Sequence, residues 1–150
     1  MPATPLTFLA ASDMDNNMKV NTIILVSNDA GFLYLLGLSL ESRGLNVTSA
    51  PTGVEAVKIL KVKNFGMMIT DFNMPGLNGI ELAIAAKELQ QSIQIIIITP
   101  EHLPDIIESA TNAGISQIFS KPVNISRLMA FVRSVLQIRQ PAVSRKYLET

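Results

Sequence analysis

Ile95-Ile96-Ile97-Ile98 is a run that few settings other than the middle of a sheet accept. It is β-branched throughout, offers no polar position to a solvent face, and is far too short to cross a bilayer. It is also one of five such segments. Thr22–Val26, Asn46–Ala50, Gly66–Thr70, Gln94–Ile98 and Ser116–Phe119 begin at intervals of roughly 20–30 residues, the scale of one strand–helix–strand unit. Helical patterns fill the gaps. Phe32–Glu41 is apolar around most of its surface and stops before Gly44. Thr52 with Glu55, and Asn78 with Glu81, read as capping boxes that open the next two helices. Ile106, Ile107, Ala110 and Ala113 mark a fourth, ended by Gly114. Asn124 caps a fifth, whose Ile125, Leu128, Met129, Val132, Val135 and Leu136 hold a 3.6-residue period. The pattern predicts an α/β fold: a doubly wound parallel sheet of five strands, with helices on both faces and right-handed crossovers.

The 150 residues suit one domain, and 48% apolar against 16% charged residues excludes a disordered chain. Residues 20–138 carry the pattern. Residues 1–19 read as a flexible N-terminal extension and residues 139–150 as a C-terminal tail. Twelve basic against twelve acidic residues give no net charge, which argues against direct nucleic-acid binding or an anionic membrane as partner. With no cysteine there are no disulfides, thiolate metal sites or thiol chemistry, and the lone His102 cannot build a multi-histidine centre. The start lacks the basic segment of a secretory signal, so the expected location is cytoplasmic.

In an open parallel sheet, ligands bind beyond the carboxyl ends of the strands. Those ends read Ser27-Asn28-Asp29, Asp71, Thr99 and Ser120-Lys121-Pro122. Carboxylates, an amide, hydroxyls and an ammonium on one rim are an inventory for a hard cation and a phosphoryl group. Each residue alone has a plainer reading: an aspartate after a strand, such as Asp29, commonly caps a helix. Their convergence on successive strand ends is what points to chemistry.

Asp71-Phe72-Asn73-Met74-Pro75-Gly76-Leu77-Asn78-Gly79 resembles the phosphoacceptor segment of the response-regulator receiver domains, the CheY-like family of two-component signal transduction. Ser120-Lys121-Pro122 resembles the family's lysine–proline signature, and Ile98-Thr99 its hydroxyl position. The resemblance covers roughly residues 20–138 and implies a flavodoxin-like sheet in the order 2-1-3-4-5. It implies that Asp71 accepts a phosphoryl group from a sensor histidine kinase or phosphotransfer protein. Asp29, Asp71 and the backbone carbonyl of Asn73 would ligate Mg2+, with Asn28 reaching it through a water. Lys121 would pair with the phosphoryl oxygens and Thr99 would close on them. Pro122 would shape the turn behind Lys121 and is a candidate for a cis peptide bond. Gly79 reads as a backbone requirement, and Asn73 and Glu101 as positions that tune the phosphoryl lifetime.

Three residues depart from the family pattern. Asn28 stands where one of two adjacent carboxylates is usual. Pro100 has no N–H to donate to a phosphoryl oxygen. Ile118, stiff at χ1, replaces the usual aromatic. The reading that follows is a stand-alone receiver. Beyond self-catalysed phosphoryl acceptance and autodephosphorylation it is no enzyme. Its downstream protein target is expected on the face of the fourth helix, fifth strand and fifth helix, and homodimerisation is left open. The alternative is a phosphorylation-independent pseudo-receiver that acts as an interaction module. A nucleotide-binding enzyme finds no support, because no phosphate-binding glycine motif follows the first strand.

Overall fold

The five apolar runs become five parallel strands in a computed structural model that describes residues 21–100 and 104–136. In chain order the elements are β1 (Thr22–Val26), α1 (Ala30–Glu41), β2 (Asn46–Ala50), α2 (Gly53–Leu60) and β3 (Met67–Asp71). They continue with α3 (Gly79–Leu89), β4 (Gln94–Thr99), α4 (Pro104–Asn112), β5 (Gln117–Ser120) and α5 (Ile125–Leu136). The sheet order is β2-β1-β3-β4-β5, with every neighbouring pair parallel. The expected extension (1–19) and tail (139–150), together with Glu101 and His102, lie outside the described residues. No helix among the described residues is long and apolar enough to cross a membrane.

Burial follows position in the sheet. β1 and β3 are buried along their whole length and β4 from Ile95 onward, whereas the edge strands β2 and β5 are largely open. Alternate side chains feed two cores. Ile24, Val26, Met68, Ile95 and Ile97 pack with Ala56 and Leu60 of α2 and Leu82, Ala83 and Ala86 of α3. Ile23, Leu25, Met67, Ile69, Ile96 and Ile98 pack with Leu36 and Leu40 of α1 and with Leu128, Met129 and Val132 of α5. Each fully buried aliphatic side chain contributes about 1.5–3 kcal/mol, so the central strands anchor the sheet from both faces. Their carboxyl ends are fixed accordingly.

Several boundaries differ from the pattern-based expectation, for one physical reason. A backbone ladder does not require an apolar side chain, so β4 and β5 run one residue past the last apolar position, to Thr99 and Ser120, and β3 runs two, to Asp71. Asp71 pairs with Ile98, and Thr99 with Ser120. α1 begins at Ala30 rather than Phe32, because Asp29 caps it: Asp29 Oδ1 accepts from Phe32 N at 3.1 Å. Asn78 and Glu81 form the full reciprocal box, each bond 2.9 Å. At the other expected box Thr52 Oγ1 accepts from Glu55 N at 3.1 Å, while the Glu55 carboxylate turns to Lys58 Nζ at 3.4 Å.

The turn from β3 into α3 explains most of the phosphoacceptor-like segment. Phe72 N donates to Ile98 O and Gly79 N to Phe72 O, both at 2.8 Å. Met74 is buried, and Gly76 supplies a φ of +81°. A Cβ on Gly79 would stand 2.6 Å from the Asp71 carbonyl oxygen and 2.9 Å from Phe72 Cα. We expect Gly79→Ala to lower the unfolding free energy by about 1–3 kcal/mol, as overpacking against backbone does. Urea denaturation reads this directly, and an unchanged midpoint would show that the turn can open. In the same assay Asp29→Ala should cost about 1 kcal/mol, and Asp29→Asn, which keeps a cap acceptor, less than about 0.5 kcal/mol. Equal losses would mean that the charge of Asp29, not its capping bond, supports α1.

Candidate functional site

Because all five strands are parallel and in register, their carboxyl ends form one rim. Asn28, Asp29, Asp71, Asn73, Ile98, Pro100 and Lys121 line a cleft there of about 200 Å³. Asp71 lies at its floor, buried at the end of the central strand β3. Its two oxygens have different neighbours. Oδ2 accepts a hydrogen bond from Ser27 Oγ at 2.5 Å. Oδ1 faces Lys121 Nζ at 3.3 Å, an ion pair whose geometry makes no hydrogen bond.

Lys121 is held in place from both sides. Its backbone N donates to Thr99 O at 2.8 Å, and the Lys121–Pro122 peptide is cis. Its ammonium lies 4.5 Å from the centre of the Phe32 ring, a cation–π contact with α1. One of the contacts of the ammonium is therefore set by the helix that Asp29 caps. Asp29 contributes at the cleft rim while one of its oxygens is engaged in that cap.

Of the residues singled out by sequence, Asn28, Asp29, Asp71, Asn73 and Lys121 share the cleft. Thr99 does not line it. It is buried at the end of β4, one residue before Pro100, which does. Ile118 lies on β5, half-buried against the core that contains Ile97. Two contributors escaped sequence reasoning. Ser27 was legible only as a strand-end residue, yet it is fully buried and bonded to both Asp71 and, through its oxygen, Asp29 N at 3.1 Å. Phe32 read as a helix core residue; its contact with Lys121 spans most of the chain and leaves no local signal.

The donor set can be tested against a divalent cation. Among the described residues, two buried side-chain polar atoms lack a hydrogen-bond partner, and both lie at this rim: Asp71 Oδ1 and Ser120 Oγ. Native interiors rarely leave such atoms unpaired. An orphaned carboxylate oxygen opening on a cleft with a second carboxylate and two asparagines fits a hard, oxygen-seeking ion. The carboxylate supply is small: among the described residues no three His, Cys, Asp or Glu side chains gather into a metal-binding cluster.

Comparison with known proteins agrees with this geometry. The family model described as the response regulator receiver domain matches residues 23–133, from β1 to α5. The chain is 30% identical over 128 residues to the transcriptional regulatory protein GlrR of Escherichia coli (strain K12), a match over 85% of this chain but 29% of GlrR. It thus spans less than a third of that relative's length. It is 26% identical over 122 residues to sporulation initiation phosphotransferase F of Bacillus subtilis (strain 168), covering 81% of this chain and 98% of that protein. Among solved structures, a CheY-like receiver domain protein from Methanospirillum hungatei JF-1 superposes with a TM-score of 0.75 at 26% identity, over 78% of this chain and 94% of the other. A family match that runs the length of the sheet, on a rim with its aspartate and lysine in contact, leaves one assignment: the chain belongs to the response regulator receiver domains of two-component systems.

Proposed function

We propose that this receiver takes a phosphoryl group onto Asp71, from a sensor histidine kinase or a phosphotransfer protein, and signals through protein contacts. The observation that carries the reading is Asp71 Oδ1: buried, without a hydrogen bond, and 3.3 Å from the Lys121 ammonium. A carboxylate oxygen left in that state is available to attack. The oxygen–phosphorus bond forms as the donor's phosphorus–nitrogen bond breaks, and the imidazole leaves with the electron pair. Lys121 then pairs with the phosphoryl oxygens. Asp29, Asp71, the backbone carbonyl of Asn73 and, through a water, Asn28 are the residues that would hold Mg2+. A bound cation there supplies charge neutralisation for the transferring group.

Thr99, buried at the end of β4, would close on the phosphoryl group. Pro100 lines the cleft without an N–H, so the phosphorylated state has one backbone donor fewer than a primary residue would give. Hydrolysis of the acyl phosphate by water resets the site. The α4–β5–α5 face is the output surface in this reading. Its support is an open concavity of about 680 Å³ lined by β5 and α5, including Phe119, Arg127 and Phe131. The setting is the cytoplasm, where ATP-fed kinases supply the phosphoryl group; dimerisation through the same face would be a second outlet.

Pro100 also favours a rival reading, an interaction module that works without phosphorylation. Intact mass after incubation with magnesium and a small acyl phosphate separates the two. We expect one added phosphoryl group on the parent and none on Asp71→Asn. An unmodified parent under conditions that label another receiver would favour the phosphorylation-independent module.

A further inference from the structure

A lysine ammonium rides on a flexible four-carbon stem, so a site that must meet a phosphoryl group in one place has to hold it there. Burial alone does not hold Lys121, because 34% of its side chain is exposed. The stem starts from an anchored backbone, where Lys121 N donates to Thr99 O at 2.8 Å. At its far end the ammonium has two partners among the described residues. It stands 3.3 Å from Asp71 Oδ1 without a hydrogen bond, and 4.5 Å from the centre of the Phe32 ring. Phe32 is itself fixed. Its amide donates to Asp29 Oδ1 at 3.1 Å in the first turn of α1, and its side chain packs against the core that contains Leu36, Leu128 and Met129. The face of an aromatic ring is negative and attracts an ammonium. Both contacts are made at once, so the ring does not draw the ammonium away from the carboxylate that would carry the phosphoryl group.

Resting on the phosphoacceptor reading, we infer that Phe32 is a positioning residue for phosphoryl binding: its ring face holds the Lys121 ammonium at the cleft before the phosphoryl oxygens arrive and keeps that contact once they are bound. Without the ring the ammonium spreads over the rotamers of its stem, and binding has to order it. A partly exposed cation–π contact is of a strength to change affinity about threefold to tenfold.

The test is calorimetric titration of the full chain with beryllofluoride at one high magnesium concentration. It compares the parent, Phe32→Leu and a chain carrying pentafluorophenylalanine at position 32. The fluorinated ring keeps nearly the shape of the original but loses its negative face. Both altered chains should bind the mimic about threefold to tenfold more weakly than the parent. A fluorinated chain that binds like the parent overturns the proposal, whatever Phe32→Leu does, because the side chain then acts only by filling space. Absence of binding by the parent overturns the phosphoacceptor reading, and the role of Phe32 with it. Proton NMR of the unaltered chain gives a second readout should Phe32→Leu fail to fold. The ring should shift the Lys121 ε-methylene protons upfield, and the shift should persist with beryllofluoride bound. Protons at their ordinary position in the bound state overturn the proposal.

Discussion

The buried carboxylate of Asp71 is the constraint around which this domain is organised. It closes the central strand, between β1 and β4, where water cannot freely solvate it. An ionised group in that position needs partners. The fold brings one from each side, Ser27 from the end of β1 and Lys121 from the loop after β5. Neither is near Asp71 in sequence; the parallel register makes them neighbours. The same register brings the amide of Phe72 to Ile98 O, and Gly79 lets the turn pass against Asp71's own carbonyl. The site is thus a product of the sheet's two-sided burial, which fixes where every strand stops.

α1 ties the rim together a second time. Asp29 caps the helix, the helix presents Phe32, and Phe32 faces the ammonium that faces Asp71. Asp29 is therefore part of the scaffold as well as of the cleft. Charge in the cleft is sparse, with two carboxylates and one ammonium among its lining residues. Ser27 and Asn28 satisfy geometry with neutral groups where a cation would be drawn by further negative charge. Pro100 adds a rigid ring at the mouth and removes a donor. These features together leave the cleft with one carboxylate fewer and one backbone donor fewer than the family pattern supplies.

Much of this was legible in the sequence, because the signals were local or periodic. The isoleucine run, the spacing of the strands and the Asn78–Glu81 box each depend on neighbours within a few residues. Asp71 and Lys121 were legible because strand ends can be located before contacts are known. What the sequence hid were contacts that only the folded register creates. Ser27 is an ordinary serine until β1 and β3 lie side by side. Leu89 fits the helical stripe of α3, but the chain buries Gln90 instead, whose amide accepts from Phe65 N at 2.9 Å and donates to Leu60 O and Lys63 O. A polar residue that exhausts its hydrogen bonds inside the fold cannot be told from a solvated one by periodicity. Thr99 was legible as the end of β4, where the structure has it, but a strand end gives only a residue's height on the sheet, and the reach of its side chain depends on the surrounding packing.

The central claim is that Asp71, Lys121 and the surrounding rim act as one phosphoryl-binding unit. Fluorine NMR of the chain with beryllofluoride and magnesium tests it most directly, since beryllofluoride mimics a phosphoryl group on a carboxylate and does not turn over. The account predicts bound fluorine signals in the parent, lost in Asp71→Asn, with amide shifts spreading from Asp71 to Ser27, Phe32 and Lys121. Absence of bound signals at any magnesium concentration, or signals that persist without the Asp71 carboxylate, would contradict it.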